Sequence, residues 1–165
     1  VATNNETSTI LVAFRGSASN RDWFSNLVAS DLSPVRPRLS APGWADTDEA
    51  DDFKANSGVQ EDFQSVVIEE LNSCVSAYLS EGFSKVIVTG HSRGGAHATH
   101  FTLLLVGNGL VQPPDITLIT FNSCRVFNAA LAKQFNKHLK MRYTRIVQEG
   151  DVVPHLPLKK YGYKH

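Results

Sequence analysis

In the segment 86–96, a short apolar run leads into Gly-His-Ser-Arg-Gly and then into small residues. This order predicts a buried strand, a sharp turn and the start of a helix. A serine on such a turn needs glycines two residues before and after it, because side chains there would collide with neighbouring backbone. Ser92 is then expected at a helix N-terminus, where the helix dipole and free N–H groups stabilise a negative oxygen.

Glycines at this spacing also occur by chance in ordinary turns. Here the turn follows Val86-Ile87-Val88 and precedes Gly94-Gly95-Ala96, which supply a strand and a closely packed helix start. The combination favours a nucleophilic serine over a simple turn.

Hydrophobic periodicity predicts alternating strands and helices along the rest of the chain. The predicted strands span residues 9–14, 86–89, 116–121 and 142–147, and the predicted helices span residues 61–79, 96–107 and 128–139. Such an alternation calls for a parallel sheet with helices on its faces, an α/β architecture in one domain covering residues 1–165. Residues 31–58 are expected to form a surface loop or short strands outside the core, because they combine prolines with an acidic run. That run lacks the spacing and the glycine of an EF-hand calcium site.

Composition and charge exclude several classes of partner. Sixteen basic side chains balance sixteen acidic ones without a Lys/Arg run, which argues against binding to nucleic acid or to an anionic membrane. No segment approaches the roughly 20 apolar residues of a transmembrane helix, and no leader pattern opens the sequence. We therefore expect a soluble chain whose secretion signal has been removed. The sequon Asn5-Glu6-Thr7 is a weak indication of secretion, and Cys74 and Cys124 allow a disulfide without requiring one.

A short amphipathic helix is predicted from Arg21 to about Ala29, opened by Ser19 as N-cap. It carries Trp23 and Phe24 on one side. These side chains are either ordinary core contacts or the apolar face of a lid that opens onto a lipid surface, and the sequence favours neither.

Asp151 is a second candidate catalytic residue, because it follows the predicted strand 142–147. Catalytic groups in doubly wound sheets gather beyond the carboxyl ends of strands. An aspartate there can orient a histidine and stabilise the imidazolium formed when that histidine takes the serine proton. The alternative is a turn aspartate after Gly150. The order of Ser92 before Asp151 agrees with the chain order of hydrolase triads.

Four blocks of the sequence resemble the fungal class 3 lipases of the Rhizomucor and Rhizopus type. The blocks are Ala13-Phe14-Arg15-Gly16-Ser17 with Asp22-Trp23, Val88-Thr89-Gly90-His91-Ser92 with Gly94-Gly95-Ala96, Arg125-Val126, and residues 150–157 with Tyr161-Gly162-Tyr163. The resemblance implies an α/β-hydrolase fold, with Ser92 as nucleophile and Asp151 as triad acid. It also implies an oxyanion hole formed by Ser17 and the backbone N–H of Arg93, and a lid over about residues 17–30 bearing Trp23 and Phe24.

The sequence departs from the family pattern at two places. Arg93 follows the nucleophile where the family has an apolar residue, typically leucine, and its guanidinium needs a partner or solvent. Residues 121–128 lack two glycines and a proline of the corresponding family block, so this loop is expected to be built differently.

None of the six histidines stands where the family has its catalytic base. His91 is expected to pack behind the turn, and His155 and His165 lie too close to Asp151 along the chain to reach Ser92. His97 and His100 have a metal-compatible spacing without an accompanying motif, so we expect no metal. We expect a fragment whose histidine comes from a missing C-terminal part or a second chain, or a domain that has lost catalysis. The isolated 165 residues should be nearly inactive.

The leading hypothesis is a secreted serine carboxylic ester hydrolase, a triacylglycerol lipase that forms an acyl-enzyme on Ser92. Its substrate would be a lipid ester, either in solution or at an oil–water interface, and it needs no metal or organic cofactor. One alternative is a feruloyl-type esterase of the same fold. Another is a non-catalytic binding module without the triad histidine.

Overall fold

A computed structural model of the chain describes residues 1–16, 31–65, 68–139 and 142–164. Its strands are β1 Ala2–Asn4, β2 Thr9–Phe14, β3 Leu32–Pro34, β4 Lys54–Asn56, β5 Lys85–His91, β6 Ile116–Phe121, β7 Phe127–Asn128, β8 Tyr143–Ile146 and β9 Tyr163–Lys164. Its α-helices are α1 Ser57–Ser65, α2 Ile68–Ser80, α3 Arg93–Gly107 and α4 Ala129–Leu139. Short 3₁₀ turns cover Ala50–Asp52, Pro113–Asp115, Val153–His155 and Lys159–Tyr161.

The central sheet has the strand order β1-β2-β5-β6-β8. Strand β1 is antiparallel to β2, and the pairs β2–β5, β5–β6 and β6–β8 are parallel. The mostly parallel sheet predicted from the sequence is therefore confirmed. The register pairs His91 at the end of β5 with Phe121, and Phe121 with Ile146. The carboxyl ends of three neighbouring strands therefore meet along one edge.

Within the described residues, the strand order places the crossover helices on a common face of this sheet. The steps from β2 to β5, β6 and β8 all run in one direction, and right-handed crossovers in one direction place their helices on the same face. Burial follows this topology. The buried strand residues on the covered face are Ile10, Val12, Val86, Val88, Ile116 and Leu118. The alternate residues Leu11, Ile87 and Ile119 are partly exposed.

Helix α3 is the centre of the core. Residues 98–107 are all buried, because the helix lies across β5 and β6 with α1 packed on its outer side. Its glycine-rich first turn allows this close approach to the sheet, and its apolar second half supplies Phe101, Leu103 and Leu105. The helix that carries the candidate nucleophile is thus held on nearly every side.

The segment 31–58 contributes to the core, so its prediction as purely surface structure was wrong. Strands β3 and β4 belong to a second, antiparallel sheet of order β3-β4-β7-β9. Trp44 is only 2% exposed and stacks on His138 of α4, with the ring centroids 4.5 Å apart. Phe53 is buried as well. A few large side chains anchor this polar segment, and local composition does not reveal them.

Helices α1 and α2 lie where one long helix is predicted over 61–79, on either side of residues 66–67, which fall outside the described residues. Cys74 and Cys124 are both free thiols. Among the described helices, none is long and apolar enough to cross a membrane.

Candidate active site

The strand–turn–helix predicted around Ser92 is present. Strand β5 ends at His91 and helix α3 begins at Arg93, so Ser92 is the N-cap of the helix. Its backbone adopts φ 56° and ψ −124°, a conformation that costs a non-glycine residue about 1–3 kcal/mol. The Ser92 hydroxyl makes no capping hydrogen bond. The strained turn thus presents a half-buried hydroxyl that the helix does not use.

Backbone hydrogen bonds fix this turn between two strands and the helix. The N–H of Ser92 donates to the carbonyl of Phe121 at the end of β6, at 2.8 Å. The Ser92 carbonyl accepts from Gly95 and Ala96, at 3.0 and 3.2 Å. The N–H of Arg93 is at the first position of α3, where no helical carbonyl is available to it. It is therefore suited to stabilise an anion beside Ser92.

Contacts around the glycines of the motif explain why the turn needs them. A Cβ atom on Gly90 would lie 2.1 Å from the carbonyl oxygen of Gly94. One on Gly94 would lie 2.3 Å from the carbonyl oxygen of Phe14, and one on Gly95 would meet the Ser123 side chain at 2.7 Å. The first two positions thus press backbone against backbone, which confirms the steric reason for the Gly-x-Ser-x-Gly spacing.

Arg93 forms an ion pair with Asp62 of α1. Both side chains are partly shielded, with 29% and 35% of their surface exposed. Desolvation lowers the pKa of the Arg93 guanidinium, which shows that it lies partly out of solvent. Of the two alternatives for this arginine, a partner or solvent, the structure supplies a partner, which is a carboxylate on a neighbouring helix. The sequence analysis did not identify Asp62 as that partner.

A cluster of aromatic rings packs beneath the first turns of α3. Phe63 contacts Phe14, His97, His100 and Phe101, with ring centroids 5.4–5.9 Å apart. Burial lowers the pKa of His97 and of His100 to about 4, with a smaller contribution from Arg93 for His97 and from His97 for His100. Both imidazoles are thus neutral near pH 7, and they serve as packing groups under the turn.

Asp151 lies beyond the carboxyl end of β8, at the edge where β5 and β6 also end. Ser92 and Asp151 are therefore on the same edge, with β6 between their strands. The Asp151 carboxylate is half-buried, and its Oδ1 accepts a 2.8 Å hydrogen bond from the N–H of Val153. Gly150 precedes it with φ 81°, a left-handed conformation that favours glycine. Asp151 is therefore a turn residue after a glycine, as the alternative interpretation holds. Its second carboxylate oxygen is available to accept from another donor.

Two arginines hold the backbone that follows Asp151, and sequence reasoning gave neither this role. Arg125 Nη1 donates to the carbonyls of His155 and Pro157, the latter at 2.8 Å. Arg145 Nη2 donates to the carbonyls of Ser123 and Pro154, the latter at 3.0 Å. Burial lowers the pKa of both guanidinium groups. The segment carrying the candidate acid is thus fixed by charge-assisted hydrogen bonds to buried carbonyls.

The described histidines do not complete a triad. His91 is exposed, not packed behind the turn, because residue 91 of β5 falls on the open face of the sheet. His138 stacks on Trp44, and the exposed His155 has its carbonyl bound by Arg125. No hydrogen bond joins Asp151 to a histidine within the described ranges. Nor do those ranges bring together three or more His, Cys, Asp or Glu side chains that could hold a metal ion.

Several of the predicted site residues cannot be placed. Ser17, Trp23, Phe24 and His165 lie outside the described residues. The oxyanion role of Ser17 and the lid over residues 17–30 remain sequence predictions.

Comparison with known proteins agrees with this geometry. Residues 11–161 match the family model described as Lipase (class 3). A lipase from Rhizomucor miehei is 33% identical over the whole chain, which covers 42% of that protein. The secreted mono- and diacylglycerol lipase A of Penicillium camembertii is 32% identical over the whole chain, which covers 48% of that protein. The chain therefore spans less than half the length of these curated relatives.

Solved structures show the same likeness. The crystal structure of a lipase from Rhizopus microsporus var. chinensis superimposes with a TM-score of 0.78 and 28% identity. The match covers 98% of this chain and 52% of that one. Together with the mostly parallel sheet, this likeness confirms the α/β-hydrolase fold.

Proposed function

Because the chain belongs to the class 3 lipase family, we propose that it is the nucleophile-bearing part of a serine carboxylic ester hydrolase that acts on acylglycerols. The observation that carries this proposal is the backbone of Ser92, with φ 56° and ψ −124° at the N-cap of α3. Strain of this kind persists only where the surrounding structure enforces it, and it concentrates at functional sites. A strained serine with an uncommitted hydroxyl above a helix N-terminus supports a nucleophile.

The reaction would proceed through an acyl-enzyme on Ser92. The Ser92 oxygen adds to the ester carbonyl carbon, and its proton passes to a histidine oriented by Asp151. The carbonyl oxygen becomes an oxyanion, which accepts hydrogen bonds from the N–H of Arg93 and from Ser17. The bond to the alcohol then breaks, and the histidine gives its proton to the departing oxygen. Water repeats these steps on the acyl-enzyme, which releases the fatty acid and restores the serine hydroxyl.

The histidine of this triad would come from polypeptide outside these 165 residues, either a further part of the same protein or a second chain. Two observations support this. Asp151 uses one carboxylate oxygen to accept from Val153 and makes no hydrogen bond to a described histidine. The curated relatives are more than twice as long as the part that this chain matches. The 165 residues alone should then be nearly inactive.

We propose a lipid ester, held at an oil–water interface, as the substrate, because the matched relatives are named lipases. Four apolar side chains at the ends of β6 and β8 or beside Asp151 are between 41% and 61% exposed: Phe121, Ile146, Val147 and Val152. They are available to contact an apolar group, either an acyl chain or the polypeptide that supplies the histidine. Secretion of this protein is part of the same proposal, because two Penicillium relatives are named secreted lipases and Asn5 of the sequon is exposed.

The test is hydrolysis by the complete polypeptide that contains this chain. An emulsified triacylglycerol, a monoacylglycerol and a soluble feruloyl ester would be compared, with Ser92→Ala as the control. Turnover of the acylglycerols that is lost in the variant supports the proposal. Turnover of the soluble ester alone would replace the lipase by a feruloyl-type esterase. No turnover of any ester would favour a non-catalytic binding module.

A further inference from the structure

The ion pair between Arg93 and Asp62 joins the residue after the candidate nucleophile to a different helix. Arg93 is the first residue of α3, and its own backbone N–H is the proposed oxyanion donor. Asp62 lies on α1, which packs against α3. The Arg93 side chain is thus bound to α1, a helix whose other contacts with α3 lie further along α3.

Asp62 holds Arg93 in preference to the histidine next to it. His97 Nε2 is 3.7 Å from the same Asp62 oxygen that Arg93 contacts directly, beyond hydrogen-bond distance. The His97 side chain is 13% exposed and packs between Phe14 and Phe63. Its neutral ring carries no charge that would draw the Asp62 carboxylate away from the guanidinium.

The packing around Gly94 shows why a tether at this point matters. The Phe14 carbonyl lies 2.3 Å from the place where a Cβ on Gly94 would stand, so the end of β2 presses on the first turn of α3. A shift of the first turn would therefore alter the position of the Arg93 N–H relative to the Ser92 oxygen.

We propose that Asp62 is a positioning residue, which acts through Arg93 to hold the Arg93 peptide N–H where the oxyanion forms. The proposal rests on the proposed function. Oxyanion donors act in the transition state more than on the bound substrate, so loss of the tether should lower kcat with little change in KM. A donor displaced by a fraction of an ångström weakens catalysis without abolishing it, and we expect a loss of about tenfold.

The experiment measures kcat and KM of the complete polypeptide on a soluble ester for the wild type, Asp62→Ala, Arg93→Met and the double variant. Rates are expressed per active site, titrated with a phosphonate, so that unfolded protein does not count. Asp51→Ala is the matched control, because it removes an ion pair of similar chemistry, Arg38–Asp51 at 2.9 Å, on the exposed surface. Asp62→Asn replaces Asp62→Ala if the latter does not fold.

We expect Asp62→Ala to lower kcat about tenfold in the wild type and less than twofold in the Arg93→Met background, because the tether is already absent there. A smaller loss of kcat in Asp62→Glu than in Asp62→Ala would show that a carboxylate at this position restores part of the effect. An equal loss in both backgrounds, or a lower melting temperature with unchanged kcat per site, would overturn the inference.

Amide hydrogen exchange separates this inference from the proposed function. Asp62→Ala should accelerate exchange at the Gly95 and Ala96 amides, which donate to the Ser92 carbonyl in the first turn of α3, while Asp51→Ala should not. Unchanged exchange at both amides overturns the inference even if the enzyme is active. If Ser92→Ala retains turnover, the proposed function fails, and the exchange result still decides whether Asp62 fixes this turn.

Discussion

The carbonyl oxygen of Gly94 lies 2.1 Å from the point that a Cβ atom on Gly90 would occupy. Strand β5 therefore enters its turn directly against the first turn of α3, with Ser92 at the apex. The hydrogen bond from the Ser92 N–H to Phe121 closes the turn from the other side. Packing of the backbone thus enforces the strained conformation of Ser92, and the Ser92 side chain takes no part in it.

Gly90→Ala should destabilise the fold severely. The added methyl would overlap backbone that cannot rotate away, and overpacking of this kind costs upwards of about 3 kcal/mol. Gly82→Ala is the control: Gly82, unlike Gly90, has a positive φ, +97°, and nothing lies within 4 Å of its Cβ position. That variant should lose only about 1 kcal/mol. Urea unfolding of both variants checks the difference, and equal losses would contradict the close packing described for the turn.

Asp151→Asn should separate catalysis from folding. The amide oxygen of asparagine can still accept the 2.8 Å hydrogen bond from Val153, so the melting temperature should stay close to that of the wild type. Asparagine cannot stabilise an imidazolium or fix its tautomer, and turnover by the complete polypeptide should fall by about 10³–10⁴-fold. A variant with full turnover would remove Asp151 from the triad. A large loss of stability would instead make it a structural turn residue.

Arg125→Met should destabilise the chain through the segment that follows Asp151. Arg125 is only 5% exposed, and its loss leaves the carbonyls of His155 and Pro157 without their charged donor. Hydrogen bonds to charged groups of this kind suggest a loss of about 2–4 kcal/mol. Arg38→Ala is the comparison. Its ion pair with Asp51 joins side chains that are 77% and 89% exposed, so it should contribute less than about 1 kcal/mol to the free energy of unfolding. Chemical unfolding that ranks the two variants equally would contradict the anchoring role.

His100 should make the fold less stable in mild acid. Burial, aided by His97, lowers the pKa of His100 from 6.5 to about 4, so the unfolded chain binds the proton more tightly than the folded one. The resulting stability is present above pH 6.5 and is lost as the pH falls towards 4, in total on the order of 3 kcal/mol. The difference in unfolding free energy between the wild type and His100→Leu should therefore change across this window. A constant difference from pH 7 to pH 4 would contradict the burial of a neutral imidazole.

The sequence predicts the central strands and the nucleophile turn well, because both depend on local patterns. Apolar runs mark β2, β5 and β6 whatever their neighbours are. Gly90 is required by the backbone of Gly94, which is close to it in sequence, whereas Gly94 and Gly95 are required by Phe14 and Ser123, which are distant. The Gly-x-Ser-x-Gly spacing nevertheless marks the turn without knowledge of those distant residues.

The elements that the sequence does not predict depend on distant partners. Trp44 is buried because His138 stacks on it, and Asp62 is part of the site because Arg93 reaches it from another helix. Arg125 gains its role from carbonyls beyond Asp151. The face of the sheet on which the described helices pack follows from the order of the strands in the sheet. The positions of the strands along the sequence do not give this order. Tertiary contacts decide these features, and periodicity along the chain cannot reveal them.

The most direct test of the central claim is intact-mass spectrometry of the complete polypeptide after exposure to an organophosphonate that labels activated serines. We expect one phosphonyl group per molecule, located on Ser92, with no labelling of the Ser92→Ala variant. A folded wild-type protein that takes up no label, or takes it up at another residue, would contradict the assignment of Ser92 as an activated nucleophile.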